Sequence, residues 1–80
     1  MTTLQLICQQ CVERMNFLKL SKKKRDAYSY EFMVGAAVAL EQLNHPDAEH
    51  LKVFVQFVIG MTGRGFDEIE RIATNQDAAA

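Results

Sequence analysis

Between residues 28 and 43 the chain is apolar on nearly every side of a helix, which limits what it can fold into. Tyr28, Phe32, Gly35, Ala36, Ala39 and Leu43 recur at spacings of three and four and form one stripe. Tyr30, Met33, Val34, Ala37, Val38 and Leu40 widen it around the circumference. Such a helix belongs at the centre of its fold. The small side chains from 35 to 39 let a neighbouring helix approach closely. Ser21 is placed to cap the start of this helix and Asn44 to close it.

The flanking segments are also helical. Leu4, Ile7, Cys8, Cys11, Val12, Met15 and Leu18 make the stripe of an amphipathic helix from about residue 3 to 19, with Thr2 or Thr3 as N-cap. Pro46 fits the first position of a third helix, where its missing N–H costs nothing. Asp47 and Glu49 then complement the dipole in the first turn. Leu51, Phe54, Val55, Val58 and Met61 continue that stripe, while Val53, Phe57 and Ile59 fall outside it. Residues 53–59 are rich in β-branched and aromatic side chains, and periodicity alone also allows a strand. Helix is the preferred reading, because the start signals are good and no partner strand is visible. Thr62, Gly63, Arg64 and Gly65 break the chain, with Gly63 as the C′ residue. Phe66, Ile69, Ile72 and Ala73 make a short fourth helix with Asp67, Glu68 and Glu70 near its start.

The expected fold is therefore all-α: an antiparallel bundle of three main helices plus a short C-terminal one. It is a single domain over residues 1–80, with a fraying tail from about 75. A chain of 80 residues buries only about 60% of its unfolded surface. Its core supplies roughly 3–5 kcal/mol. Two cysteines make no disulfide framework, so completion by oligomerisation is expected. The excess of large apolar residues over 52–61 suggests a homo-oligomer interface, with Phe32, Ala36, Val53, Phe54, Phe57 and Val58 as candidates.

Charge is unevenly distributed. Residues 1–40 carry six basic and three acidic side chains; residues 41–80 carry three and seven. Five of the basic ones fall within 19–25. Lys19 suits the end of the first helix, but Lys22, Lys23 and Lys24 in a first turn oppose the macrodipole. A helix N-terminus with added cations suits an anion: a phosphate, a nucleotide or a nucleic-acid backbone. Tyr28 and Tyr30 are near enough in sequence to stack on a base. Lys22, Lys23, Lys24, Arg25 and Arg64 are the candidate anion ligands. The plainer reading is a solvated lysine turn, or a patch facing Asp67–Glu70 of another subunit, and it is preferred. A pI near 6.1 argues against a dedicated nucleic-acid binder.

The remaining motifs favour structure over chemistry. Cys8-x-x-Cys11 has zinc or redox spacing, but both thiols lie mid-helix in the apolar stripe and read as core. His45 and His50, five apart, point about 140° away from each other on a helix and cannot make the i, i+4 metal pair. Gly63-Arg64-Gly65 lacks P-loop spacing and reads as a turn. The segment 62–73 has the outline of half a helix-turn-helix, but no recognition helix follows it. No nucleophile–base arrangement, carboxylate pair or cofactor fingerprint is present, so no enzyme, cofactor or metal is expected. No apolar run reaches the roughly 18 residues of a membrane span. The first residues lack a basic n-region, and Gln5, Gln9 and Gln10 interrupt the apolar stretch, so a signal peptide is not expected. Cytoplasmic residence follows. The expected role is a small non-catalytic interaction protein; size alone suggests an accessory protein of a phage or mobile element.

Overall fold

A computed structural model describes residues 2–59 and 65–74, excepting the side chains of 57–59. Among the described residues there are four helices and no strand. Helix α1 spans Thr3–Leu18. Thr2 caps it: its Oγ1 accepts from the Gln5 N–H at 3.0 Å, satisfying one of the free donors of the first turn. The helix stops at Lys19, whose left-handed φ of 53° turns the chain. Helix α2 spans Lys22–Gln42 and starts at Ser21, whose Oγ accepts from the Lys24 N–H at 3.5 Å. It closes with a Schellman motif. The His45 N–H donates to the Leu40 carbonyl at 2.9 Å and the Asn44 N–H to the Glu41 carbonyl at 3.0 Å. Asn44 takes the left-handed position at φ 54°, which asparagine tolerates better than most residues.

Helix α3 spans Ala48–Val53, two residues later than the Pro46 start expected from sequence. Pro46 and Asp47 instead form a turn, with the Ala48 N–H donating to the His45 carbonyl at 3.1 Å. Asp47 at φ −89°, ψ 0° has the geometry of the third residue of a type I turn. Proline at the second position presets that turn. Residues Phe54–Ile59 continue as a π-helix, which resolves the strand alternative in favour of helix. The hydrogen bonding shifts to i→i+5 where β-branched and aromatic residues crowd. Helix α4 spans Gly65–Thr74.

Helix α4 packs against α1 and α2, and α3 packs against α2. The core contains Cys8, Cys11 and Met15 of α1, Met33 and Ala37 of α2, and Leu51, Phe54 and Val55. Phe66, Ile69 and Ala73 of α4 complete it. Thus the short C-terminal helix is part of the core, and its apolar stripe is the one read from sequence.

Helix α2 buries a different face from its most regular apolar stripe. Ser29, Met33 and Ala37 are buried, and Leu40 packs beside them. Tyr28 and Leu43 remain 45% and 75% exposed, and Gly35 and Ala39 are exposed. Apolar content gives α2 no preference among its faces. The face turned inward is the one that also carries Asp26, three residues before Ser29, and Asp26 binds the start of α4.

Candidate functional site

The basic turn between α1 and α2 is oriented by the beginning of α4. Asp26 Oδ1 accepts a hydrogen bond from the Phe66 N–H at 2.9 Å. Arg25 stacks its guanidinium on the Phe66 ring, 4.8 Å from the centroid, a cation–π contact. Lys22 Nζ stands 3.6 Å from Asp67 Oδ2. The acidic patch that the lysine turn was expected to meet on another subunit is therefore met, at Asp67, within the same chain. Both members of that pair are solvated, so it contributes about 0–1 kcal/mol. Of the candidate anion ligands, Lys22 and Arg25 are engaged with α4, while Lys23 and Lys24 are exposed. Arg64 lies outside the described residues. The first-turn N–H of Phe66 is occupied by the Asp26 carboxylate, which takes the place an anion would have at the start of α4. Arg25 Nε is buried and has no hydrogen-bond partner among the described residues.

Tyr28 and Tyr30 do not act together. Tyr30 lines a groove between α2 and the third helical segment with Val34, Val38, Val55 and Gln56, and the Glu41–Lys52 ion pair spans it. Lys52 Nζ is 2.6 Å from Glu41 Oε2. That hydrogen bond, with the carboxylate charge, raises the ammonium's pKa. The groove holds about 210 Å³, less than the ~300 Å³ at the lower end of small-molecule sites.

Cys8 and Cys11 are free and fully buried, in a core that also contains Met15 and Met33. Burial, and secondarily the neighbouring Cys11, pushes the Cys8 thiol up to about 12. Burial also raises Cys11, with a partial offset from the Ser29 hydroxyl beside it. Ser29 Oγ has no other hydrogen-bond partner among the described residues. Both thiols are protonated at neutral pH, whereas metal binding and thiol chemistry need the thiolate. His45 is a turn residue: its Nδ1 accepts from the Asp47 N–H at 3.1 Å. His50 is exposed. Among the described residues no three His, Cys, Asp or Glu side chains converge on a metal position.

The candidate interface separates into three parts. Phe54 is only 6% exposed and belongs to the core, which corrects its assignment to an exposed apolar surface. It lies on the helical stripe with Leu51 and Val55, and α2 and α4 cover it. Phe32 and Ala36 are half-buried at the core's edge, and Val53 is 44% exposed. The side chains of Phe57 and Val58 lie outside the described residues. Among the described residues the most exposed large apolar side chain is Phe17, at 79%, which is not among the interface candidates named from sequence. It sits with Gln10, Glu13, Arg14 and Phe32 around a depression between α1 and α2. Its signal was present, since Leu6, Gln10, Glu13 and Phe17 share one helical face, opposite the cysteine stripe.

Among the described residues, no helix is long and apolar enough to cross a membrane. Comparison with protein-family models, with curated proteins and with solved structures finds no match.

Proposed function

We propose that this chain is a small non-catalytic helical interaction protein that works as a homo-oligomer. The observation that supports it is the outward side of α2 with its neighbour on α1. Tyr28, Val38 and Leu43 are 45%, 50% and 75% exposed, and Phe17 is 79% exposed. Single exposed apolar residues are ordinary, but several large ones on so small a protein favour an interaction surface. The protonated buried thiols give no support to thiol chemistry.

Native mass spectrometry and light scattering at two salt concentrations test this. The expected result is a discrete oligomer, without added mass, that persists as salt rises. Added mass matching phosphate or a nucleotide, lost at higher salt and in Lys23→Ala/Lys24→Ala, would replace the proposal with anion binding. A bare monomer at tens of micromolar would overturn self-association.

A further inference from the structure

We infer that the tip of the α1–α2 hairpin, residues 17–24, is a docking surface for an anionic phospholipid bilayer. From residue 14 to residue 25 the chain carries six basic side chains and no acidic one. Arg14, Lys19, Lys23 and Lys24 are exposed, and none of the four forms an ion pair among the described residues. Between these cations in sequence stand Phe17, 79% exposed, and Leu18, 43% exposed, in the last turn of α1. The left-handed Lys19 reverses the chain immediately after them, and Leu20 packs against the core. The turn therefore presents two large apolar side chains and three free lysines at one end of the bundle.

A bilayer uses both properties. Acidic headgroups attract the ammonium groups. The interfacial layer takes up Phe and Leu side chains, while lysine stems lie along apolar surface and keep their charged heads in water. A nucleic-acid backbone would satisfy the lysines but offers nothing to the aliphatic Leu18. A folded partner would need a concave apolar site rimmed by acids, whereas a fluid bilayer accommodates a convex tip. The contact is peripheral, because no described helix is long and apolar enough to cross a membrane.

The remaining charges orient the molecule. Of the acids near the tip, Asp26 accepts from the Phe66 N–H, Asp67 pairs with Lys22 and Glu68 pairs with Arg71. Glu13, one turn before Phe17, adjoins Arg14 in sequence. Asp47 and Glu49 follow the other end of α2. That helix has 21 residues and a length of about 31 Å. An anionic surface therefore draws the tip and repels the far end. This reading does not rest on self-association: Phe17 adjoins both surfaces, whereas Leu18 and the lysines belong to the tip.

The test is sedimentation of the whole chain with vesicles of phosphatidylcholine alone and with about one-third phosphatidylserine. Binding to the mixed vesicles is expected to be roughly a hundredfold tighter, about fivefold for each of the three lysines, and to weaken as salt rises. Lys23→Glu/Lys24→Glu is expected to abolish it, and Leu18→Ala to weaken it roughly fivefold, with circular dichroism unchanged. The chain has no tryptophan, so Phe17→Trp supplies a single fluorophore whose emission should shift to the blue on the mixed vesicles. No sedimentation with the mixed vesicles, or sedimentation without the blue shift, would overturn the proposal. So would tighter binding to a short DNA duplex than to the mixed vesicles, lost in the same lysine variant. Light scattering without vesicles reads self-association separately, so failure here leaves the oligomer standing.

Discussion

Asp26 Oδ1 accepts the Phe66 N–H at 2.9 Å, so a side chain of α2 caps the first turn of α4 across 40 residues of chain. The other end is held similarly: Gln9 Nε2 of α1 donates to the Ala73 carbonyl at 3.2 Å. A ten-residue helix is too short to be stable alone. These contacts, with burial of Phe66, Ile69 and Ala73, set its position. Asp26→Ala is expected to cost about 1–2 kcal/mol, the loss of an N-cap, as read by urea denaturation. Asp26→Asn, which keeps an acceptor oxygen, should lose less than half of that. Equal losses in the two variants would mean that the cap does not hold α4.

Ser29 is fully buried, and apart from the weakly accepting Cys11 thiol beside it its Oγ has no hydrogen-bond partner among the described residues. An unsatisfied buried hydroxyl costs about 1–3 kcal/mol. Ser29→Ala removes it with almost no change of volume, so it is expected to stabilise the fold by about 1 kcal/mol. A destabilisation of that size would show that the hydroxyl has a partner in solution.

The buried thiols set a limit at alkaline pH. Folded Cys8 ionises only near 12, against an ordinary value of 9.0, and Cys11 is displaced in the same direction. Below pH 9 both are neutral in the folded and unfolded chains, and their contribution to stability is fully present. Above pH 9 the unfolded chain releases these protons first, so the unfolded state binds fewer and stability falls. The slope approaches about 1.4 kcal/mol per pH unit for each thiol. Denaturation midpoints should therefore decline between pH 9 and 12, and the decline should shrink in Cys8→Ala. Reaction with an aromatic disulfide at pH 8 should be slow until denaturant is added. Fast labelling of the native protein would contradict the burial.

Much of the fold was legible in local signals. Thr2, Ser21 and Asn44 mark helix ends through their own side chains or a tolerated left-handed φ, and each stands where those signals place it. The amphipathic stripes of α1 and α4 were legible for a related reason: one face is apolar and the other is not, so orientation is settled within the element. Helix α2 differs. Its buried face is set by contacts with α1, α3 and α4, among them Asp26 reaching Phe66 across 40 residues, and no local pattern carries that information. The same contact accounts for the basic turn, whose Lys22 and Arg25 are turned toward a helix that sequence places at the far end of the chain. Phe54 was misplaced because a crowded apolar run marks burial and interface equally, and only the packing of α4 and α2 separates them.

Lys19 ends α1 at φ 53°, a conformation that costs a side chain bearing a Cβ about 1 kcal/mol. Its backbone N–H donates to the Asn16 carbonyl at 3.2 Å, and no ion pair or side-chain hydrogen bond ties it down among the described residues. Glycine adopts this conformation freely and is the usual residue there. Lys19→Gly is expected to stabilise by about 0.5 kcal/mol after the added freedom of the unfolded chain is counted. Thermal unfolding at low protein concentration would show it, and a lower midpoint would mean that the lysine side chain contributes more than its backbone costs.

Phe54 and Phe17 separate core from surface most directly. Phe54 is 6% exposed within the main cluster, so Phe54→Ala loses the transfer free energy of a ring and leaves a cavity. Such changes cost about 3–5 kcal/mol, close to the whole stability expected of a domain this size. The variant should be largely unfolded by circular dichroism. Phe17 is 79% exposed, so Phe17→Ala removes little buried area and should leave the monomer's stability within about 0.5 kcal/mol. If self-association uses this exposed face, as proposed above, the same change should weaken association while the helices persist. Equal destabilisation by the two alanines at low concentration would mean that Phe17 is covered within the chain, and the exposed face of α1 would cease to be a surface for a partner.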